Sequence, residues 1–122
     1  MPKILLVDDD DTMVSLLRTL LELDGYEVID SQEWEGIVDV VAAEQPDLVL
    51  MDCFLPQSDG IDILGKLRSQ PAFDQTAVIM TSGLDMEYRC QALGANGFLL
   101  KPYPPEELLS MIGEHIGGDG ED

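Results

Sequence analysis

Basic residues are scarce in this chain. Six lysines and arginines stand against 25 aspartates and glutamates, a formal net charge of −19 over 122 residues. Such a surplus of negative charge repels polyphosphates and anionic lipid surfaces. It argues against nucleic-acid binding and a membrane-surface role, and favours cations and basic protein surfaces. A generally acidic, salt-adapted exterior accounts for the excess equally well. Cysteine is also sparse: Cys53 and Cys90 form neither a CxxC pair nor a zinc-ligand spacing. They read as free thiols in a reducing compartment. Cys53, directly after Asp52, is expected to be solvent-accessible, which leaves redox sensing open there. Long hydrophobic runs are missing, since none approaches the roughly 18 residues needed to span a bilayer. The opening MPKILLVDDDD ends its apolar run in acids where a signal peptide needs small residues. A cytoplasmic location is therefore expected. The single histidine, His115, has no metal-ligand spacing around it and reads as a complement to the dipole of a last helix.

What is present is a chain that is 45% apolar, enough for one domain with one core. The spacing predicts a domain over 1–116 and a disordered acidic tail, GGDGED, over 117–122. KILLV (3–7), DLVLMD (47–52), AVIM (77–80) and GFLL (97–100) are continuous apolar runs, and YEVID (26–30) alternates. Between them, Thr12–Asp24, EGIVDVVAAEQ, GIDILGKLRS, DMEYRCQAL and PPEELLSMIGEHI carry helical spacing. Asp10 or Asp11 can cap the first helix and Gly25 ends it; Trp34 is placed at the start of the second. Five alternations with near-continuous apolar strands predict an α/β fold: a doubly wound parallel sheet with helices on both faces. Right-handed crossovers then gather every strand's carboxyl end at one edge, where such folds bind ligands.

At that edge the strands end in Asp8 and Asp9, in Asp52, in Thr81 and Ser82, and in Lys101. Four consecutive acids, Asp8–Asp11, would repel one another without a counter-charge or water between them. A hard divalent cation such as Mg²⁺ takes oxygen ligands, and Asp8, Asp9 and Asp52 can supply them. A carboxylate can also accept a phosphoryl group as a nucleophile. That transfer requires charge neutralised on the phosphoryl oxygens, for which Lys101 and a Ser or Thr hydroxyl are at hand.

These segments resemble the receiver domain of two-component response regulators. ILLVDDD is similar to that family's first strand and acidic pair. PDLVLMDCFLPQSDG is similar to its phosphoacceptor segment, with Pro56 four residues and Gly60 eight residues beyond Asp52. AVIMTSG resembles its fourth strand and switch hydroxyl, and ALGANGFLLKPY the run into its lysine–proline pair. The resemblance covers residues 3 to about 116. It implies a flavodoxin-like five-stranded sheet in the order 2-1-3-4-5. It further implies Asp52 as phosphoacceptor and Mg²⁺ held by Asp8, Asp9, Asp52 and the backbone carbonyl of Phe54. Lys101 would pair with the phosphoryl group ahead of a cis bond to Pro102. Ser82 would be the switch hydroxyl, with Thr81 the alternative, and Phe98 the aromatic that swings inward. Implied partners are a sensor histidine kinase or a histidine phosphotransfer protein, and the expected state is a monomer or weak dimer. Output would run through protein contacts, whether the receiver stands alone or is cut from a larger protein.

Lys101 follows Ser82 by only 19 residues, fewer than is usual in that family, so the segment carrying the fourth helix must be short. Tyr103 reads as a packing residue. Two other readings stay open. ILLVDDDDT also fits the nucleophile motif of haloacid-dehalogenase-like phosphatases, with Asp8 as nucleophile and Asp10 and Thr12 beside it. A receiver-like binding module that no longer responds to phosphate is the other.

Overall fold

A computed structural model describes residues 1–116, and the acidic tail expected beyond them lies outside the described residues. Five parallel strands form the sheet: β1 (Lys3–Val7), β2 (Glu27–Asp30), β3 (Leu48–Asp52), β6 (Ala77–Ser82) and β7 (Gly97–Leu100). Their order is β2-β1-β3-β6-β7, which is the expected 2-1-3-4-5 once a small hairpin is set aside. That hairpin, β4 (Phe54–Leu55) with β5 (Ser58–Asp59), is antiparallel and follows β3 directly. Its turn, Pro56–Gln57, puts Gln57 at φ 58°, and two-residue strands have no periodicity to read, so the sequence gives no sign of it.

The three inner strands, β1, β3 and β6, are buried on both sides because helices cover both faces. Residues of even and odd parity go to opposite layers. Leu5, Val7, Val49, Met51, Val78 and Met80 face α2 (Ile37–Glu44), α3 (Gly60–Arg68) and α4 (Glu87–Ala92). Ile4, Leu6, Leu48, Leu50 and Ile79 face α1 (Asp11–Leu23) and α5 (Pro105–Ile116). Two of the helices start where the sequence supplies a side-chain cap. Asp10 accepts from the Met13 amide at the head of α1, and Asp59 accepts from the Ile61 and Asp62 amides at the head of α3. Trp34 opens a 3₁₀ turn (Trp34–Gly36) ahead of α2 rather than α2 itself and packs, half-buried, on the α2–α3 layer. No helix among the described residues is long and apolar enough to cross a membrane.

One backbone contact sets the geometry next to Asp52. The Gly60 amide donates to the Cys53 carbonyl at 2.8 Å, and a β-carbon on Gly60 would lie 2.0 Å from the Asp52 carbonyl oxygen. Both neighbours are backbone, so neither can yield by a rotamer change. Gly60→Ala is expected to cost about 1–3 kcal/mol and to displace the Asp52 loop. Urea midpoints should fall while the fold survives, and the NMR amide signals of residues 52–60 should move most.

Candidate functional site

The four consecutive acids separate into distinct positions. Asp8, one residue past β1, is buried, and its Oδ1 accepts from the Asp10 amide at 2.9 Å. Asp9 is exposed. The Asp10 side chain caps α1, accepting from the Met13 amide at 3.1 Å. Asp11 lies in the first turn of α1, where a negative charge complements the helix dipole, and accepts from Gln32. The turn out of β1 thus spreads the charges over two outlets, the cleft and the helix end.

Asp8, Asp52 and Lys101 meet across the strand tips because all three continue the parity of the α1–α5 face. Lys101 Nζ donates to Asp52 Oδ2 at 2.9 Å and to Asp8 Oδ2 at 3.0 Å. The second Asp52 oxygen, Oδ1, accepts from the Phe54 amide at 3.1 Å. Burial pulls the Lys101 ammonium toward neutrality, but hydrogen bonds to Asp52 and Asp8 and the two negative charges together outweigh it. The lysine is held protonated well above its ordinary value. Asp9 joins the two buried acids: one oxygen from each of Asp8, Asp9 and Asp52 lies within 4.8 Å of the others. Two such charges 4 Å apart repel by about 4 kcal/mol at an effective dielectric near 20, and one lysine cannot balance three. Three convergent carboxylates with that residual charge fit a hard, oxygen-seeking divalent cation.

Ser82 and Phe98 sit on the opposite parity, toward α3 and α4. The register pairs Met80 with Phe98 and Ser82 with Leu100. Ser82 is fully buried and its Oγ accepts from the Leu84 amide at 2.9 Å. Phe98 is half-buried against the α2–α3–α4 layer. Thr81 pairs with Asp52 in the β3–β6 register, so it shares the face of the acids. The Lys101–Pro102 bond is cis. Tyr103 packs on the α1–α5 layer, and burial pushes its hydroxyl up.

Cys53 does not meet its expectation of solvent access. It is fully buried, because its amide carries the β3 ladder one residue further to the Thr81 carbonyl and its side chain keeps the parity of Val49 and Met51 toward α4; its Sγ lies 3.5 Å from Cys90 Sγ. Burial, then the Cys90 hydrogen bond, push the Cys53 thiol far above its ordinary value, and burial raises Cys90 as well. No spacing in the sequence signals this contact, which depends on how far the β3 ladder runs and on the packing of a six-residue helix.

Fold and site together define a doubly wound α/β protein with an acidic cleft at its strand tips, closed on one side by a single lysine. The chain belongs to the response regulator receiver domain family, whose model matches residues 4–113. It is 41% identical over 116 residues to the transcriptional regulatory protein CpxR of Escherichia coli, covering 92% of this chain and 48% of CpxR. It spans about half the length of the curated relatives it matches. The BeF₃-activated receiver domain of Klebsiella pneumoniae RstA superposes with a TM-score of 0.84 at 31% identity, covering 93% of this chain and 97% of that one. The receiver domain of the sensor histidine kinase PA1611 from Pseudomonas aeruginosa, with a magnesium ion in its active-site cleft, gives 0.83 at 28% identity, covering 96% and 98%. Receiver domains are the phosphoacceptor parts of two-component signalling, working with histidine kinases.

Proposed function

We propose that Asp52 accepts, in the cytoplasm, a phosphoryl group from the phosphohistidine of a sensor histidine kinase or histidine phosphotransfer protein. A carboxylate oxygen of Asp52 forms the new P–O bond as the donor's P–N bond breaks, and the imidazole leaves with the electron pair. The observation that carries this reading is the bridging of Asp52 and Asp8 by one ammonium, with Nζ 2.9 and 3.0 Å from their oxygens. A cation already placed against the acceptor oxygen is placed against the phosphoryl oxygens once they arrive. Asp8, Asp9 and Asp52, with the Phe54 carbonyl, would hold Mg²⁺. When bound, the ion supplies further charge neutralisation for the transferring group. The magnesium in the PA1611 receiver cleft supports that assignment.

Ser82 would then turn its hydroxyl from the Leu84 amide toward the phosphoryl group, and Phe98 would follow into the space on the same face. That exchange is the two-state element a partner surface can read. The same cleft would assist hydrolysis of the aspartyl phosphate, returning the domain to its resting state.

The hydrolase reading assigns the first and third acids to catalysis, but the Asp10 carboxylate is engaged at the head of α1. The phosphate-independent module lacks support because the acid and lysine set is complete. Magnesium titration separates these readings. Mg²⁺ should shift the NMR signals of residues 8–9, 52–54 and 101, and Asp9→Asn should weaken its binding at least about tenfold with the fold unchanged. An unaltered spectrum of the wild-type protein in millimolar Mg²⁺ would support the inert module.

A further inference from the structure

Cys53 and Cys90 are the only two cysteines of the chain. Both are fully buried, and their sulfurs are in van der Waals contact at 3.5 Å. Cys53 lies one residue past Asp52, with its amide donating to the Thr81 carbonyl at 2.8 Å. Cys90 is the one buried side chain of α4. That helix has six residues, and its N-cap residue Met86 makes no side-chain capping bond. Glu87, Tyr88, Arg89 and Gln91 all face outward. A helix so short has no stability of its own; its buried apolar hold on the domain is Cys90 with Met86 and Ala95 beside it, and past its C-terminal end Arg68 Nε donates to the Gly94 carbonyl at 2.9 Å. Few buried contacts make α4 a segment that opens at low cost, and its opening uncovers both sulfurs together.

We propose that Cys53 and Cys90 are a redox modification site, oxidised by a peroxide to an intramolecular disulfide that fastens α4 to the end of the phosphoacceptor strand. When α4 opens and water reaches the sulfurs, one cysteine ionises and its thiolate attacks the peroxide, giving a sulfenic acid and a hydroxide that leaves as water with the proton the thiol gave up. The second thiol then displaces hydroxide from that sulfur, forming the S–S bond and a second water. The two cysteines lose two electrons and two protons, and the peroxide O–O bond is reduced. Closing the pair from 3.5 Å to a bond of about 2.05 Å asks for a small shift, which a six-residue helix with one buried side chain can make. Because each sulfur is the other's neighbour, condensation competes well with further oxidation. The segment Gly83–Met86 links Ser82 to α4, so the disulfide restrains the stretch that follows the switch hydroxyl. This last consequence rests on the reading of Asp52 as phosphoacceptor.

The full chain, reduced and then treated with hydrogen peroxide, tests the site by intact mass after denaturing alkylation. The expected product carries no alkylated thiol, is about 2 Da lighter than the reduced protein, yields a Cys53–Cys90 linked peptide and reverts with dithiothreitol. Amides of residues 87–92 should exchange at least about tenfold more slowly, and beryllofluoride should bind several-fold more weakly. Cys90→Ser should still bind beryllofluoride, and under peroxide should gain oxygen at Cys53 without losing mass. Two alkylatable thiols after peroxide, or addition of oxygen to both sulfurs in the wild type, would overturn the site. Equal beryllofluoride affinity in both forms would overturn its regulatory role. Formation of the lighter product in a chain that never binds beryllofluoride leaves the modification standing and removes the phosphoacceptor reading instead.

Discussion

Replacing Asp52 with asparagine is expected to abolish labelling by acetyl phosphate and binding of beryllofluoride while making the unliganded domain more stable. The two halves have one cause. Asp52 is held with Asp8 and Asp9 so that their oxygens lie within 4.8 Å of one another, and the lysine between Asp52 and Asp8 offsets only part of that repulsion. An amide removes one negative charge and keeps a carbonyl oxygen able to accept from Lys101 or from the Phe54 amide. Thermal and urea midpoints in the absence of Mg²⁺ should rise by the equivalent of about 1 kcal/mol or more. Reactivity should vanish because the amide oxygen is not a nucleophile toward phosphorus. Gain of stability on loss of function is the signature of a site whose charges are arranged for a ligand. A variant that loses both labelling and stability would mean that Asp52 is a structural ion-pair partner instead.

Lys101→Ala should act in the opposite sense. Its ammonium is the bridge between two buried carboxylates, and removing one member of a buried pair leaves the others uncompensated, at a cost of about 3 kcal/mol. Mg²⁺ should recover part of that loss, and should bind the variant more tightly than the wild type because a competing positive charge is gone. Phosphoryl transfer should fall on the order of 100-fold. The pH dependence follows from the raised lysine. Its contribution to stability is fully present below the unfolded-state value near 10.5 and is lost only as pH climbs through the higher folded-state value. The difference in unfolding free energy between wild type and variant should therefore be flat from about pH 6 to 9 and shrink in more alkaline solution. A difference that changes across neutral pH would place the relevant titration on another group.

Much of this site was legible in the sequence because parallel α/β folds bring strand ends to one edge. Asp8, Asp52 and Lys101 each close an apolar run, and the run lengths alone place them together. Their side-chain parity, which puts them on the α1–α5 face with Thr81 while Ser82 and Phe98 take the other, needed the register of β3, β6 and β7. A shortened segment could be counted from the 19 residues between Ser82 and Lys101, though not that α4 itself shrinks to six residues. What that shortness does to Cys90 could not, because burial of a lone apolar-like side chain has no period. Gly60 shows the same limit. Its place in the resemblance was visible, whereas the 2.0 Å approach to the Asp52 carbonyl that penalises a side chain there is a property of the folded hairpin. Cys53 reads as exposed from its place after a strand-end acid, whereas the ladder runs one residue further and turns its side chain to the α2–α3–α4 face.

The central claim concerns one atom group, the Asp52 carboxylate, and its chemistry can be read directly. An aspartyl phosphate is reduced by borohydride to homoserine, whereas a free carboxylate is not. After incubation with acetyl phosphate and Mg²⁺, reduction and peptide mass spectrometry should find homoserine at position 52 and aspartate unchanged at positions 8, 9 and 10. Homoserine at position 8, or at none of the four, would contradict the account.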